Sequence, residues 1–299
     1  MKNNSLTIII PAYNEYGNLT RLLPEILSQH NHNYSLDQIL IMSDGSTDAT
    51  NSLTINSRKI KLRIYNGKTQ KGKPARVNQA LKIANTPLVV ILDADVKFLH
   101  QGVIDNLVSP IIKQDADYTS GTAVALPPTN VISKIAFAGV TIWSIARSYL
   151  DPHCLYNSEG MLRAFSQRFY KNLTFPPIAS IEDTYPYLYA KQNNYIFKYA
   201  KNAKVYYQLP TTFSDYRSQQ RRYHASGELE NTIFPEDLVN TSRIMTKRIK
   251  LIALFKTIKS NPIPTLLYLI FSLYLRLDIL LYPVKASNTW EVLKTTKNL

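Results

Sequence analysis

Asp93 and Asp95 follow directly on the apolar run 88–92 and are separated by a single residue. Side chains two positions apart in an extended chain point to the same side, so both carboxylates should face one site. Two like charges this close repel each other unless a cation lies between them. Carboxylate oxygens favour hard ions, so the pair predicts a Mg²⁺ or Mn²⁺ site. The alternative is a solvated turn.

Short apolar runs alternate with runs of helical periodicity along the first hundred residues. The pattern predicts four strands, at 6–10, 38–42, 61–65 and 88–92. It predicts two helices, one after an Asn18 cap over 18–29 and one over 75–84. Strands that are apolar throughout, with helices between them, indicate an α/β fold with a mainly parallel sheet covered on both faces.

Polar side chains follow three of the predicted strands. They are Asn14, Glu15, Asp44, Asp93 and Asp95. Ligands of parallel sheets bind at the carboxyl ends of the strands, so these side chains should gather at one edge. Asp44 taken alone could instead cap a helix.

Composition narrows the class of protein. The 299 residues are 45% hydrophobic and carry a formal charge of +14, which predicts a folded protein with an anionic partner. Cys154 is the only cysteine, so no intrachain disulfide is expected and a reducing, cytoplasmic compartment is favoured. The apolar run near the N-terminus is too short for a signal peptide.

Six motifs in one order resemble those of the family 2 glycosyltransferases. They are "IIIPAYNE", "SDGSTDAT", "LDADV", "SEGMLRAF", "IED" (181–183) and "QQRRY" (219–223), spread over roughly residues 5–225. The family consists of inverting nucleotide-sugar enzymes with the GT-A fold, a Rossmann-like, mixed but mainly parallel sheet flanked by helices. The resemblance therefore implies sugar transfer from a nucleotide diphosphate donor, most simply a UDP-sugar with GDP as the alternative.

The resemblance also assigns the donor site. Asp95 holds a Mg²⁺ or Mn²⁺ ion, and Asp93 reaches the ribose or shares the ion. Asp44 accepts a hydrogen bond from the uracil ring. The remaining donor-site residues implied are Pro11, Ala12, Tyr13 and Glu15 around the nucleoside, and Lys71, Lys73 and Asn78 near the phosphates or base. The two lysines could equally be a solvated rim, and Pro74 departs mildly from the family but suits a first helical turn.

Catalysis requires a carboxylate that deprotonates the acceptor hydroxyl. The resemblance assigns this role to Asp183, with Glu182 as a neighbour that raises its pKa or, alternatively, caps the next helix. In "QQRRY", Gln219, Arg221 and Arg222 match the family motif Q-x-x-R-W and would bind the diphosphate. Tyr223 stands where tryptophan is usual, which puts acceptor binding in doubt. A charged helix face is the alternative for this motif.

The C-terminal part is basic and apolar. From residue 240 onward there are ten Lys or Arg residues against two acidic ones, and 263–275 is an uncharged run of thirteen residues. We expect a catalytic domain over 1–235 and a helical segment over 236–299 that lies on anionic lipid. A helix pair packed on the catalytic domain is the alternative, and a membrane span is expected least because Arg276 and Asp278 interrupt the run.

These features favour a glycolipid or lipid-linked acceptor at the inner face of the membrane and the addition of one or a few sugars. An oxidoreductase is disfavoured because no G-x-G-x-x-G follows the first strand. A nucleic-acid partner is not expected, since no such motif is present. The open alternative is a basic membrane- or nucleic-acid-binding protein with an inactive GT-A-like domain.

Overall fold

The four predicted strands are present and parallel. The computed structural model describes residues 4–177, 181–225, 229–283 and 294–296. The strands are β1 (Ser5–Ala12), β2 (Ser35–Ser43), β3 (Lys61–Asn66) and β4 (Leu88–Leu92). They lie side by side in the order β3-β2-β1-β4, so their carboxyl ends meet at one edge of the sheet.

Both predicted helices are present, α1 (Tyr16–Leu27) and α2 (Lys73–Ile83). Pro74 lies in the first turn of α2, as predicted. The prediction that Asn18 caps α1 is wrong. Glu15 occupies the cap position, and the Asn18 amide lies in the first turn, where it donates to the Glu15 carboxylate at 2.8 Å. That hydrogen bond fixes a carboxylate that points toward the strand ends.

The part of the chain after β4 widens the sheet to eight strands within the described residues. The further strands are β5 (Val96–Phe98), β6 (Tyr118–Ala125), β7 (Leu162–Ser166) and β8 (Phe197–Tyr207). β7 lies between β4 and β6 and is antiparallel to both, whereas β6 and β8 are parallel. The result is a mixed sheet in the order β3-β2-β1-β4-β7-β6-β8-β5.

The core lies on both faces of this sheet. Ile8 and Ile10 of β1 share a buried cluster with Leu22 of α1, whereas Ile9 shares one with Val77 of α2. This follows from the alternation of side chains along a strand, and it explains why β1 is apolar at every position of its centre. The two-sided core holds the strand ends, and the side chains that follow them, in fixed positions.

Eight more helices are present in the described part of the chain. They are α3 (Val103–Ile112), α4 (Val131–Arg147), α5 (Gln167–Tyr170), α6 (Tyr185–Gln192), α7 (Phe213–Ala225), α8 (Glu236–Ser242), α9 (Lys247–Ser260) and α10 (Pro262–Leu281). α7 begins six residues after β8 and therefore stays close to the sheet edge.

The last two helices pack on the rest of the protein. α9 and α10 both lie against α4, and α10 also contacts α7. Phe271 of α10 stacks on Tyr216 of α7 with ring centres 4.5 Å apart, and a Cβ on Gly139 of α4 would lie 2.5 Å from the Tyr268 ring. The packed helix pair, the alternative reached from sequence, is therefore present. Residues 284–293 and 297–299 of the predicted tail lie outside the described residues.

α10 is longer than the thirteen-residue apolar run predicted. It continues through Arg276 and Asp278 to Leu281, because the Asp278 carboxylate is paired with two arginines of α7. By length and composition, this 20-residue helix could cross a membrane, although 22% of its most apolar 18-residue stretch is buried in the protein.

Candidate active site

The carboxyl ends of β1, β2 and β4 form one wall of an open pocket. The predicted residues that line it are Pro11, Ala12, Tyr13, Glu15, Asp44, Lys73, Asp93, Asp95, Gln219, Arg222 and Tyr223. Residues far apart in sequence thus meet at the edge where ligands of parallel sheets bind.

Asp44, at the end of β2, is buried and already accepts three hydrogen bonds. The backbone N–H groups of Lys71 and Gly72 donate to it at 2.8 Å each, and Arg76 Nε donates at 2.7 Å. A carboxylate has about four acceptor sites, so one remains for a ligand. Gly72 has a φ of 88°, which a glycine adopts without strain and which turns its N–H toward Asp44.

Asn14 lies behind this wall. It adopts a left-handed backbone with a φ of 54°, and its side-chain oxygen accepts a hydrogen bond from Thr47 N at 2.8 Å. Its own N–H donates to Ser46 Oγ at 3.0 Å. Asn14 therefore joins the loop after β1 to the loop after β2, and it holds the neighbouring Glu15 and Asp44 in place.

Asp93 and Asp95 both face the pocket, as predicted. Burial, followed by repulsion from Asp93 and Glu15, raises the pKa of Asp95 to about 7, although Lys73 acts in the opposite direction. Carboxylates crowded in this way are short of positive charge, and their oxygens are the ligands that Mg²⁺ and Mn²⁺ prefer. The pair therefore fits a divalent cation. Within the described residues no three His, Cys, Asp or Glu side chains form a metal cluster.

A chain of alternating charges leads from the partly buried Asp93 to the "IED" segment. Lys73 Nζ lies 2.6 Å from Asp93 Oδ1 and 2.9 Å from Glu182 Oε2. The other carboxylate oxygen of Glu182 pairs with Arg163 of β7, and both of these side chains are fully buried. Glu182 is therefore neutralised by two cations and cannot reach a substrate. It does not cap α6 either, because Thr184 occupies the cap position.

Asp183 is exposed, whereas the adjacent Glu182 is buried. The Asp183 carbonyl oxygen accepts a hydrogen bond from Ser158 Oγ at 2.8 Å. A Cβ on Gly160 would overlap the Asp183 carboxylate, so the glycine of "SEGMLRAF" permits this close approach. Asp183 also lies within electrostatic range of Tyr223 at the pocket rim. The geometry separates a buried, paired Glu182 from an accessible Asp183.

"QQRRY" lies on α7 and divides between two faces of that helix. Gln219, Arg222 and Tyr223 have the spacing i, i+3 and i+4, lie on one face and line the pocket. Arg221 lies on the other face, where it pairs with Asp278 at 2.5 Å. The prediction that Arg221 binds the diphosphate is therefore wrong, because the helical turn points it away from the pocket.

Two other predicted residues also lie outside the pocket lining. The Asn78 amide exchanges two 2.8 Å hydrogen bonds with the backbone of Phe175, so it anchors that loop instead of meeting a ligand directly. Lys71 contributes its backbone N–H to Asp44, while its side chain is exposed, which favours the solvated-rim alternative. Lys73 by contrast is a central member of the site.

Several lining residues were not predicted from sequence. They are Gln70, Gly72, Arg76, Ala94, Met161, Tyr207, Gln208 and Thr296. The buried Arg76 stands inside the quoted stretch "KGKPARVNQA", where a basic residue in an otherwise apolar helix face was an available signal. No sequence pattern indicated Thr296, because a contact between residues far apart in the chain places it at the pocket. The hydroxyl of the adjacent Thr295 donates to Asp215 of α7 at 2.6 Å.

Comparison with known sequences finds a family match over part of the chain. Residues 7–134, which carry β1 to β4 and both strand-end aspartates, match the sequence profile of glycosyl transferase family 2. This part of the chain is therefore similar in sequence to the family 2 glycosyltransferases. A dolichyl-phosphate beta-glucosyltransferase from Dictyostelium discoideum is 25% identical over 146 residues, which are 45% of each protein. The chain spans less than half the length of the curated relatives it matches.

Solved structures confirm the predicted GT-A fold of the chain. A mannosyltransferase from Pyrobaculum calidifontis, in complex with GDP-Man and Mn²⁺, superposes with a TM-score of 0.61 over 91% of this chain and 80% of its own, at 18% identity. Glucosyl-3-phosphoglycerate synthase from Mycobacterium tuberculosis, with Mn²⁺, UDP-Glc and phosphoglyceric acid, gives 0.53 over 78% and 81%, at 15% identity.

Proposed function

We propose that this protein is a glycosyltransferase that moves a sugar, with inversion, from a nucleotide diphosphate donor to a hydroxyl group of a lipid or lipid-linked acceptor. One observation carries the proposal. The strand-end carboxylates Asp93 and Asp95 and the α7 side chain Arg222 line one pocket, and Asp183 stands exposed beside it. Donor activation and acceptor deprotonation thus have separate groups at adjacent places.

Five residues have separate roles in the proposed reaction. Asp95 and Asp93 would hold the Mg²⁺ or Mn²⁺ ion, which when bound offsets the charge of the departing diphosphate. Arg222, on α7, offsets the same negative charge with a planar guanidinium that suits phosphate oxygens. Asp183 accepts the proton of the acceptor hydroxyl as that oxygen attacks the anomeric carbon. Glu182 is a positioning residue, since its two cationic partners fix the segment that carries Asp183.

UDP is the nucleotide we favour. Asp44 keeps one acceptor site free in a wall formed by Pro11, Ala12 and Tyr13, which suits the single ring N–H donor of uracil. The structural neighbours include proteins with either UDP-Glc or GDP-Man bound, so GDP is the competing outcome of the test below.

The acceptor class follows from the outer face of α10. Six apolar side chains recur there every three or four residues, and each is 54–76% exposed: Ile263, Leu266, Ile270, Leu273, Leu277 and Leu280. We call these six residues the α10 stripe. A continuous exposed apolar face is typical of a protein or membrane contact.

Charge favours a membrane as the occupant of the α10 stripe. Seven exposed basic residues surround it in sequence: Arg243, Lys247, Arg248, Lys250, Lys256, Lys259 and Arg276. Each basic residue near an anionic lipid surface contributes about 1 kcal/mol of binding. The opposite face of α10 is committed to α4 and α7, so we propose that the helix lies in the membrane interface at the cytoplasmic face instead of crossing it.

The test is a panel of UDP- and GDP-sugars with the full-length protein and Mn²⁺. Donors are screened by the rise in unfolding temperature and by hydrolysis, and positive donors are offered to lipid-phosphate and glycolipid acceptors in vesicles. We expect stabilisation by UDP-sugars, an anomeric configuration opposite to that of the donor, and a product with one or a few added sugars. Retained configuration, or no response to any nucleotide-sugar, would contradict the proposed function. Long polymer would contradict the limited-addition part of it.

A further inference from the structure

An acidic residue is buried in the most apolar helix of the C-terminal segment. Asp278 of α10 is only 6% exposed, although its helix is otherwise built to contact apolar surroundings. Burial of a carboxylate is costly unless it is paired and hydrogen-bonded. Here the pairing is complete, and both partners come from one other helix, α7.

Two arginines of α7 hold the Asp278 carboxylate. Arg217 donates to Oδ1 at 2.6 Å and to Oδ2 at 3.2 Å, and Arg221 donates to Oδ2 at 2.5 Å. Arg221 also donates to the Tyr282 carbonyl oxygen, at 2.6 Å, just beyond the end of α10. Hydrogen bonds from Arg217 and then Arg221 lower the pKa of Asp278, although burial opposes them. Asp278 is therefore ionised at neutral pH.

The geometry of α7 connects this contact to the pocket. Arg217 and Arg221 are four residues apart and share one face, whereas Gln219, Arg222 and Tyr223 lie on the opposite face and line the pocket. A helix is rigid across its own diameter, so a rotation of α7 that moves one face also moves the other. Fixing Arg217 and Arg221 consequently fixes the three pocket side chains.

Aromatic packing alone leaves this rotation less well defined. Phe271 contacts Phe213 edge to face and Tyr216 face to face, and aromatic pairs accept either arrangement over a range of ring distances. The Asp278 carboxylate, which receives a two-pronged contact from Arg217 and one N–H from Arg221, has a preferred geometry in both distance and angle. The ion pair thus fixes the rotation of α7 relative to α10 more closely than the hydrophobic contacts do.

We propose that Asp278 is a positioning residue for the donor site, acting through Arg217 and Arg221 on the rotation of α7. The proposal rests on the proposed function, since it takes the α7 face of the pocket as the site of the diphosphate. It implies that the helix we place on the membrane also holds part of the active site together. A small displacement of binding groups has large effects, and a shift of about 1 Å can cost about 100-fold in rate.

The test compares Asp278→Asn with a charge-matched control, Asp237→Asn, at an exposed position of α8. Binding of UDP with Mn²⁺ is measured by calorimetry, and the KM and kcat of donor hydrolysis are measured separately. We expect Asp278→Asn to weaken UDP binding and raise the donor KM about tenfold while the protein stays folded, and Asp278→Glu to restore part of the loss. Asp237→Asn should match the wild type.

The outcomes separate the two proposals. Failure of the wild type to bind UDP or GDP contradicts the proposed function itself. Normal binding by the wild type with equal binding by Asp278→Asn overturns only the positioning role. Should Asp278→Asn fail to fold, Arg221→Gln replaces it, because Arg217 still pairs with Asp278 there. A raised donor KM in Arg221→Gln, whose side chain lies outside the pocket lining, supports the inference, and an unchanged KM overturns it.

Discussion

The ammonium group of Lys73 lies between two carboxylates, 2.6 Å from Asp93 and 2.9 Å from Glu182. Lys73 begins α2, Asp93 follows β4, and Glu182 precedes Asp183. A single cation therefore joins the acidic pair after β4 to the segment that carries the proposed base. With Arg163 beyond Glu182, the four side chains alternate in sign, and the loss of Glu182 would leave the fully buried Arg163 without its anionic partner.

The first prediction concerns the stability of this charge chain. Glu182→Gln should lower the free energy of unfolding by about 3–5 kcal/mol, because fully buried Arg163 then has no anionic partner. Urea unfolding measures the change. The control Glu236→Gln, at an exposed position, should stay within about 0.5 kcal/mol of the wild type. A neutral Glu182→Gln would show that the network contributes little.

The second prediction concerns the divalent cation. Asp95→Asn should lower turnover about 100- to 1,000-fold, because charge stabilisation at the leaving group is lost. It should also abolish the Mn²⁺-dependent rise in unfolding temperature in the presence of UDP, which checks ion binding without activity. The charge-matched Asp237→Asn should retain both responses. Full activity of the wild type in excess chelator would rule this role out.

The third prediction separates the base from the donor site. Asp183→Asn should reduce transfer about 100- to 10,000-fold, because the acceptor proton has no carboxylate to receive it. UDP affinity should stay near that of the wild type, since Asp183 lies outside the lining of the pocket. Calorimetry with UDP and Mn²⁺, run beside the transfer assay, makes the distinction. Comparable transfer by the variant would refute the assignment.

The fourth prediction concerns the membrane. Leu266, Ile270 and Leu273 of the α10 stripe are exposed, so replacing all three with serine should leave the fold intact while binding to vesicles containing anionic lipid falls. Replacing Lys256 and Lys259 with glutamine should weaken the same binding by about 2 kcal/mol. Co-sedimentation measures both effects. Ile196→Ser, an exposed apolar position outside α9 and α10, is the control.

The outcome of that experiment identifies the occupant of the stripe. Donor hydrolysis should persist in the triple variant while transfer to a vesicle-bound acceptor falls. Unchanged vesicle binding contradicts the membrane proposal. If the triple variant instead converts a dimer to a monomer in sedimentation velocity, the stripe contacts a second copy. Deletion of α9 and α10 is a poorer test, because it would also remove Asp278 from Arg217 and Arg221.

The sequence by itself determined the first half of the sheet and the acidic edge. Apolar runs of strand length alternate with runs of helical period, and both patterns depend on neighbours only a few residues away. The rule that parallel strands end at one edge then placed Glu15, Asp44, Asp93 and Asp95 in one pocket. Those parts of the fold were predictable because local geometry and one general rule of topology suffice.

Only the tertiary structure decided which face of a helix meets the pocket. The helical period places Arg221 and Arg222 about 100° apart, but it does not tell which of them meets the pocket. That choice depends on Asp278, which lies 57 residues beyond Arg221 in the chain and draws it to the far side of α7. Asn78 was misplaced for the same reason, since its partner Phe175 lies 97 residues away. A buried polar group pairs with whichever group the complete fold brings close to it. The spacing of residues in the sequence does not identify that partner when it lies far along the chain.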